Sequence, residues 1–297
     1  MSAFIHGRIL NGTLTTEFLQ RERIVILDKV ARHRLRNPLV FAMMETRTAG
    51  EMTLSILLQS ARMMMHVCPE LITAPDVVGM TAMHYAAQWC LNAKMLELVL
   101  THKLADVNAK DSLDWRPLHY AASIDNTAAV RKLLDLGADV DARTNTDYNQ
   151  FTPLYFALPN LEAASMLLKA GAEATWVGSN GITLLHCVAE DVNVEDDAIE
   201  VARMLLMAGA PLKQRDSAGR TPADCAATMS RPTLFKWLKR AESRTITPGR
   251  KWRPPNHWLC RRKVRDAVRT GLLVAARIKM IPMELWFSVF EMLPLHE

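Results

Sequence analysis

The sequence predicts an all-α fold: a solenoid of helix-turn-helix units with short β-turn fingers, followed by a small C-terminal helical box. Three observations carry this. One phrase recurs five times, opening at Gly79, Asp114, Gln150, Gly181 and Gly219, at steps of 35, 36, 31 and 38 residues. Periods in the thirties belong to stacks of small supersecondary units. A second phrase follows each opening, as in "VRKLLDLGADVDA" and "ARMLLMAGAPLK". There the apolar residues Val130, Leu133 and Leu134 fall at i, i+3 and i+4, one face of a helix. Beyond Ala241 this register stops and an amphipathic tail begins.

Residues 1–36 are read as an N-terminal cap, because "TTEFLQRERIVILDKVARHRL" (Thr15 to Leu35) forms an amphipathic helix that covers the open end of the stack. Residues 37–75 hold a divergent unit, "NPLVFAMMETRTAGEMTLSILLQSA", with Val40 where later units carry histidine. Residues 76–241 are the five clear units. Pro117, Pro153 and Pro222 suit the first turn of each first helix, where the missing N–H is harmless. Thr152 and Thr221 precede two of these prolines and are expected to act as N-caps. Gly137, Gly171 and Gly209 follow the second helices, where a left-handed residue ends a helix well. The alanine pairs Ala86-Ala87 and Ala121-Ala122 allow neighbouring helices to approach closely. The fifth unit closes with the charged helix "RPTLFKWLKRA", a cap for the other end. Residues 242–256, with three prolines and a glycine, form a linker, and 257–297 form the helical box.

Composition excludes several classes of function. Nearly half of the 297 residues are apolar and charge is ordinary, so the chain folds. No stretch reaches the roughly 18–20 apolar residues of a membrane span, and the opening "MSAFIHGRIL" lacks the pattern of a secretory signal. Five scattered cysteines form no CxxC pair and read as reduced thiols, which places the protein in the cytoplasm, with access to the nucleus. His84, His119 and His186 recur at one structural slot, so they are expected to make a hydrogen bond near the turn and not to do chemistry. No HExxH, GxSxG, phosphate-binding loop or GxGxxG is present. No catalytic residue, metal ligand or cofactor is assigned.

The repeated phrases together approximate "TPLHxAA…LLxxGADVNA". This pattern, recurring from residue 76 to about 241, resembles the ankyrin repeat. The resemblance implies fingers and paired helices stacked side by side, binding a protein through finger tips and inner helices. The array departs from the pattern at Tyr155 and Asp224, which stand in the histidine slot. It also carries insertions at Thr144 to Asp147 and at "VNVEDD" after Asp191.

In such an array the recurring positions build the stack and the varying ones are free for a partner. The expected target-binding residues are Val78, Met80, Tyr85 and Trp89 in the first clear unit; Leu113, Trp115, Tyr120 and Ile124 in the second; and Tyr148, Phe151 and Phe156 in the third. Aromatic side chains dominate the set, and these bury large area at little entropic cost.

The tail has its own character. Residues 242–297 carry 11 basic against 5 acidic residues, whereas residues 1–241 carry 25 against 26. "LCRRKVR" (Leu259 to Arg265), followed by "IPMELWFSVF", resembles a SOCS box. That resemblance implies docking to elongin B/C through Leu259, Cys260 and Val264, and to a cullin through the second element. Asn256 stands where a leucine is expected and Glu284 where a second proline is. Alternatively, "IPMELWFSVFEML" resembles the first helix of an F-box, as in PRANC segments. Ile281, Pro282, Glu284, Leu285, Val289, Phe290 and Leu293 would then meet a Skp-type adaptor. The basic cluster around Trp252 and Trp258 is read as a solvated face beside the docking helix; nucleic acid and membrane are not expected partners. The expectation is a non-enzymatic adaptor: the array holds a target protein and the box joins it to a ubiquitin ligase. The rival is a plain scaffold or inhibitor.

Overall fold

The computed structural model describes residues 2–31, 37–46, 49–89, 92–145, 150–191 and 195–244. Contacts divide the chain into Met1–Glu242 and Ser243–Glu297, and the architecture that follows is that of the first unit. Tyr148, most of the linker and the tail residues named above, Leu259, Cys260, Val264, Ile281, Pro282, Glu284, Leu285, Val289, Phe290 and Leu293, lie outside the described residues.

The described residues form α-helices joined by turns, with one isolated bridge between Val177 and Thr183. Two helices, α1 (Ser2–Leu10) and α2 (Thr16–Ala31), precede Asn37, where the sequence suggested one. Ile5 and Ile9 on α1 and Leu19 and Ile26 on α2 are buried, which docks both helices on the next pair. That pair is α3 (Pro38–Glu45) and α4 (Glu51–Val67), closed by a turn of 3-10 helix at Pro69–Ile72.

The five repeat units follow. Their first helices are α5 (Ala82–Trp89), α7 (Pro117–Ser123), α9 (Pro153–Ala157), α11 (Leu184–Asp191) and α13 (Pro222–Thr228). Their second helices are α6 (Ala93–Leu100), α8 (Thr127–Asp135), α10 (Leu161–Lys169), α12 (Glu195–Met207) and α14 (Pro232–Arg244). First helices pack on first helices (α3 on α5, α5 on α7, α7 on α9, α11 on α13), and second on second (α4 on α6, then α8, α10 and α12). The result is an all-α solenoid of two helical rows.

The core is the repeated apolar phrase. Leu118, Leu154 and Leu184 on first helices, and Leu133, Leu167 and Leu205 on second helices, are at most 1% exposed. Each such leucine contributes about 1.5–3 kcal/mol by leaving water. Ala86, Ala87, Ala121 and Ala122 are equally buried, and their small volume sets the close helix spacing. Asn92, Asn126 and Asn160 cap the second helices, accepting from Met95, Ala129 and Ala163 N–H. Asn126 also donates to the carbonyl of Ala87 in the preceding unit at 3.0 Å, so one side chain caps a helix and joins two units. Gly137, Gly171 and Gly209 adopt φ of +82°, +94° and +94°, the left-handed cap their position suggested.

Adjacent fingers are bonded tip to tip. Ser112 N–H donates to Val78 O, Asn145 N–H to Leu113 O, and Ser217 N–H to Asn180 O. Gly79 sits at φ +83° at such a junction, and a Cβ there would stand 2.8 Å from Ser112 N. Glycine is therefore required twice over, for its backbone angle and for the neighbour's approach.

Candidate protein-binding surface

The recurrent histidines are built into the frame. In the first unit Thr81 N–H donates to Nδ1 of His84, and Nε2 meets the carbonyl of Trp115 at 3.1 Å. His119 takes Arg116 N–H and reaches Ala142 O at 3.0 Å; His186 takes Thr183 N–H and reaches Arg220 O at 3.0 Å. Nδ1 accepts in every case, so Nε2 carries the proton and donates to the next finger. Burial holds His84 below its ordinary pKa and takes His119 down to about 4. All three imidazoles are struts, each tying a helix start to the unit that follows.

Three of the fingers are organised by an aspartate. Oδ1 of Asp76 accepts from Val78 and Met80 N–H, Oδ1 of Asp111 from Leu113 and Trp115 N–H, and Oδ1 of Asp216 from Ala218 and Arg220 N–H. The second oxygen is also engaged. Tyr85 donates its hydroxyl to Asp76 at 2.7 Å, Tyr120 to Asp111 at 2.6 Å, and Arg220 donates Nε to Asp216 at 2.8 Å. Burial, with the hydrogen bond to Asp111, raises the Tyr120 pKa, so the phenol stays protonated. Tyr85 and Tyr120, both expected to meet a partner, therefore spend their hydroxyls on the fingers and offer only ring faces.

The aromatic residues of the second to fourth units form one connected layer. Trp115 lies 5.1 Å from Tyr120 and 4.4 Å from Phe156, ring centre to ring centre. Phe156 continues to Phe151 at 5.8 Å, and Phe151 stacks on Tyr155 at 3.9 Å with planes 19° apart. Tyr155 reaches Trp176 at 5.5 Å. Trp176 is 3% exposed and donates its indole N–H to Gln150 O at 3.0 Å. The third unit, lacking the histidine, is thus joined to the fourth by an aromatic contact. Trp176 was not singled out in the sequence. Its signal was Tyr155 in the histidine slot, which requires some other link to the next finger.

Thr152 shows the other side of that replacement. Thr221 caps α13, with Asp224 returning the bond in a capping box, but Thr152 makes no cap bond. Its hydroxyl is buried without a hydrogen-bond partner. The equivalent hydroxyl of Thr183 lies 2.9 Å from His186 Nδ1. Tyr155 supplies no such nitrogen, which leaves Thr152 unpaired.

The expected binding residues therefore divide. Val78 (47% exposed) and Ile124 (43%) are open to solvent, and Val77 beside Val78 is 73% exposed. Leu113, Trp89, Tyr85, Trp115, Tyr120, Phe151 and Phe156 are half-buried, and of these Trp115, Tyr120, Phe151 and Phe156 belong to the aromatic layer. Met80 is 8% exposed and belongs to the core. It directly follows the turn glycine, where the chain dives under the finger, so its side chain is closed to a partner.

One cluster carries metal-ligating types: His186, Asp216 and Cys225, with ligand atoms within 4.8 Å of one another. All are committed to the frame. Both nitrogens of His186 and both oxygens of Asp216 are hydrogen-bonded as described, and burial pushes the Cys225 thiol up to about 12. Protonated and occupied groups make a poor cation site. Cys68, Cys187 and Cys225 are buried.

Comparison with known proteins agrees with this geometry. A family model described as "Ankyrin repeats (3 copies)" matches residues 92–175. With the helical architecture, this identifies an ankyrin-repeat all-α solenoid, and such repeats make the array a protein-binding scaffold. The SMC5-SMC6 complex localization factor protein 1 of Bos taurus is 35% identical over 113 residues, covering 35% of this chain and 10% of that protein. The Homo sapiens protein of that name is 37% identical over 100 residues, or 32% of this chain and 9% of the relative. The tyrosine-protein kinase Shark of Drosophila melanogaster is 40% identical over 96 residues, or 32% and 10%. The chain thus spans about a tenth of the length of these relatives. No described helix is long and apolar enough to cross a membrane.

Proposed function

We propose that the protein is a non-enzymatic adaptor: its array captures one protein on the fingers and first helices, and its C-terminal segment links that cargo to a cullin-RING ubiquitin ligase. The observation that carries the capture half is the aromatic layer from Trp115 to Tyr155, flanked by the exposed Val77, Val78 and Ile124. Rings held by one another and by Asp111 lose little freedom when a partner covers them, which is the condition for a preorganised hot spot. Val78, Leu113, Trp115, Ile124, Phe151 and Phe156 are the side chains we assign to cargo, together with Tyr148. The ligase half draws on the two tail motifs, with elongin B/C or a Skp-type protein as the docking partner.

A second reading draws on the likeness to the SMC5-SMC6 complex localization factor: the array positions a nuclear assembly and has no ligase link. The two separate in one experiment. The full chain and a chain ending at Asn256 are used as affinity baits, and bound proteins are identified. Elongin B/C or a Skp-type protein held by the full chain and lost on truncation, with other partners retained, is the expected result. Recovery of SMC5-SMC6 subunits by both baits, with no ligase component, replaces the ligase reading with the second one.

A further inference from the structure

The outer row of helices carries a hollow that the capture surface does not use. It lies between α4 and the end of α6, with a volume of about 300 Å³. Arg62, Met65 and His66 fall at i, i+3 and i+4 on α4 and so share one face. His102 and Lys103, just beyond α6, form the opposite wall, and Met65, Pro69 and Leu98 supply an apolar lining. Four basic side chains thus surround the hollow and no carboxylate lines it.

Elsewhere on the array several basic side chains are paired with carboxylates. Lys132 meets Glu97, Arg131 meets Glu162 and Arg143 meets Glu173, each across neighbouring units. The side chains of Arg62, His66 and Lys103 have no ion-pair or hydrogen-bond partner among the described residues. His102 accepts Leu104 N–H at Nδ1, which leaves Nε2–H as a free donor. Burial, and Lys103 beside it, hold His102 below its ordinary pKa, and the Arg62 guanidinium and Lys103 ammonium supply positive charge to the hollow.

We propose that this hollow binds an aryl phosphomonoester, presented as the phosphotyrosine side chain of a protein partner. One carboxylate carries a single charge, which one arginine fork satisfies. A phosphomonoester carries −1.5 to −2 and three acceptor oxygens, which matches two fixed cations and two imidazole donors. The volume sits at the lower end for small-molecule sites, which run from about 300 Å³, and exceeds what a bare phosphate fills. The lining of Met65, Pro69 and Leu98 accounts for the remainder, since a flat apolar stem can rest on it.

The test is titration of the full chain, labelled at its methionine methyls, with phenyl phosphate, inorganic phosphate, benzoate and an end-blocked phosphotyrosine peptide. Phenyl phosphate and the peptide should bind saturably and shift the Met65 methyl. Inorganic phosphate and benzoate should bind at least about tenfold more weakly, the worth of one strong contact. Arg62→Gln and Lys103→Gln change exposed side chains, so melting should be unaltered while phenyl phosphate affinity falls about tenfold or more. No saturable binding, equal binding of inorganic phosphate, binding of phenyl phosphate without the peptide, or undiminished affinity in both variants would each overturn the proposal.

Discussion

Replacing Thr152 by valine should stabilise the protein, although the same change one unit later should weaken it. The hydroxyl of Thr152 is buried with no partner, and its residue makes no cap bond to α9. An unpaired buried polar group costs about 1–3 kcal/mol. Valine keeps the branched shape and suits the extended backbone there, φ −99° and ψ 163°. Thr152→Val should therefore gain about 1 kcal/mol, the lower part of that range, since valine's second methyl must fit the same space. Thr183→Val removes a hydroxyl 2.9 Å from His186 Nδ1, where the Thr183 N–H also bonds. One of two donors is lost, so this variant should lose about 1 kcal/mol. Urea unfolding of both variants beside the parent reads the two signs directly. A loss in Thr152→Val equal to that in Thr183→Val would show that Thr152 is paired in solution and that Tyr155 does not empty its pocket.

Two further outcomes follow from the same frame. His119 has a folded pKa near 4 against an ordinary 6.5, so the unfolded chain binds the extra proton between these values. Stability should be full above pH 6.5 and fall as pH drops toward 4, by roughly 3 kcal/mol for this one residue; His119→Gln should flatten that slope in urea unfolding repeated from pH 4 to 7.5. Tyr120→Phe removes the bond to Asp111 and should cost about 1–2 kcal/mol of stability while leaving cargo binding within twofold. A loss of binding without a loss of stability would mean that the hydroxyl serves the partner instead.

The repeat was legible because two helices and a turn fix both a period and a pattern. The capping glycines, the prolines and the buried leucines all follow from sterics within a few residues. The histidine strut was legible as a slot, though its acceptor lies a whole unit away. What escaped the reading depended on pairs. Tyr85 and Tyr120 look like exposed rings until each is set against the aspartate nine residues before it, Asp76 and Asp111. That shared spacing was visible, but only the folded finger gives it meaning. Trp176 escaped because its partners, Gln150 and Tyr155, belong to the preceding unit. Helix α1 escaped because two isoleucines over nine residues make a weak period.

The histidine struts also give the array a direction. Each of the three links points from one unit to the next along the chain; the third unit makes the same step through Tyr155 and Trp176, and the last unit breaks the rule. Asp224 replaces the histidine, accepts from the N–H and hydroxyl of its own Thr221, and pairs with Lys239 of its own second helix. Nothing in that slot reaches for a sixth unit. A gene duplication that copied the second unit in tandem would insert a module able to grip its successor. One that copied the fifth would append a module that its predecessor cannot hold by this bond. Lengthening the array at this end would thus require a new link in that slot, either a histidine or an aromatic contact of the kind Tyr155 makes with Trp176.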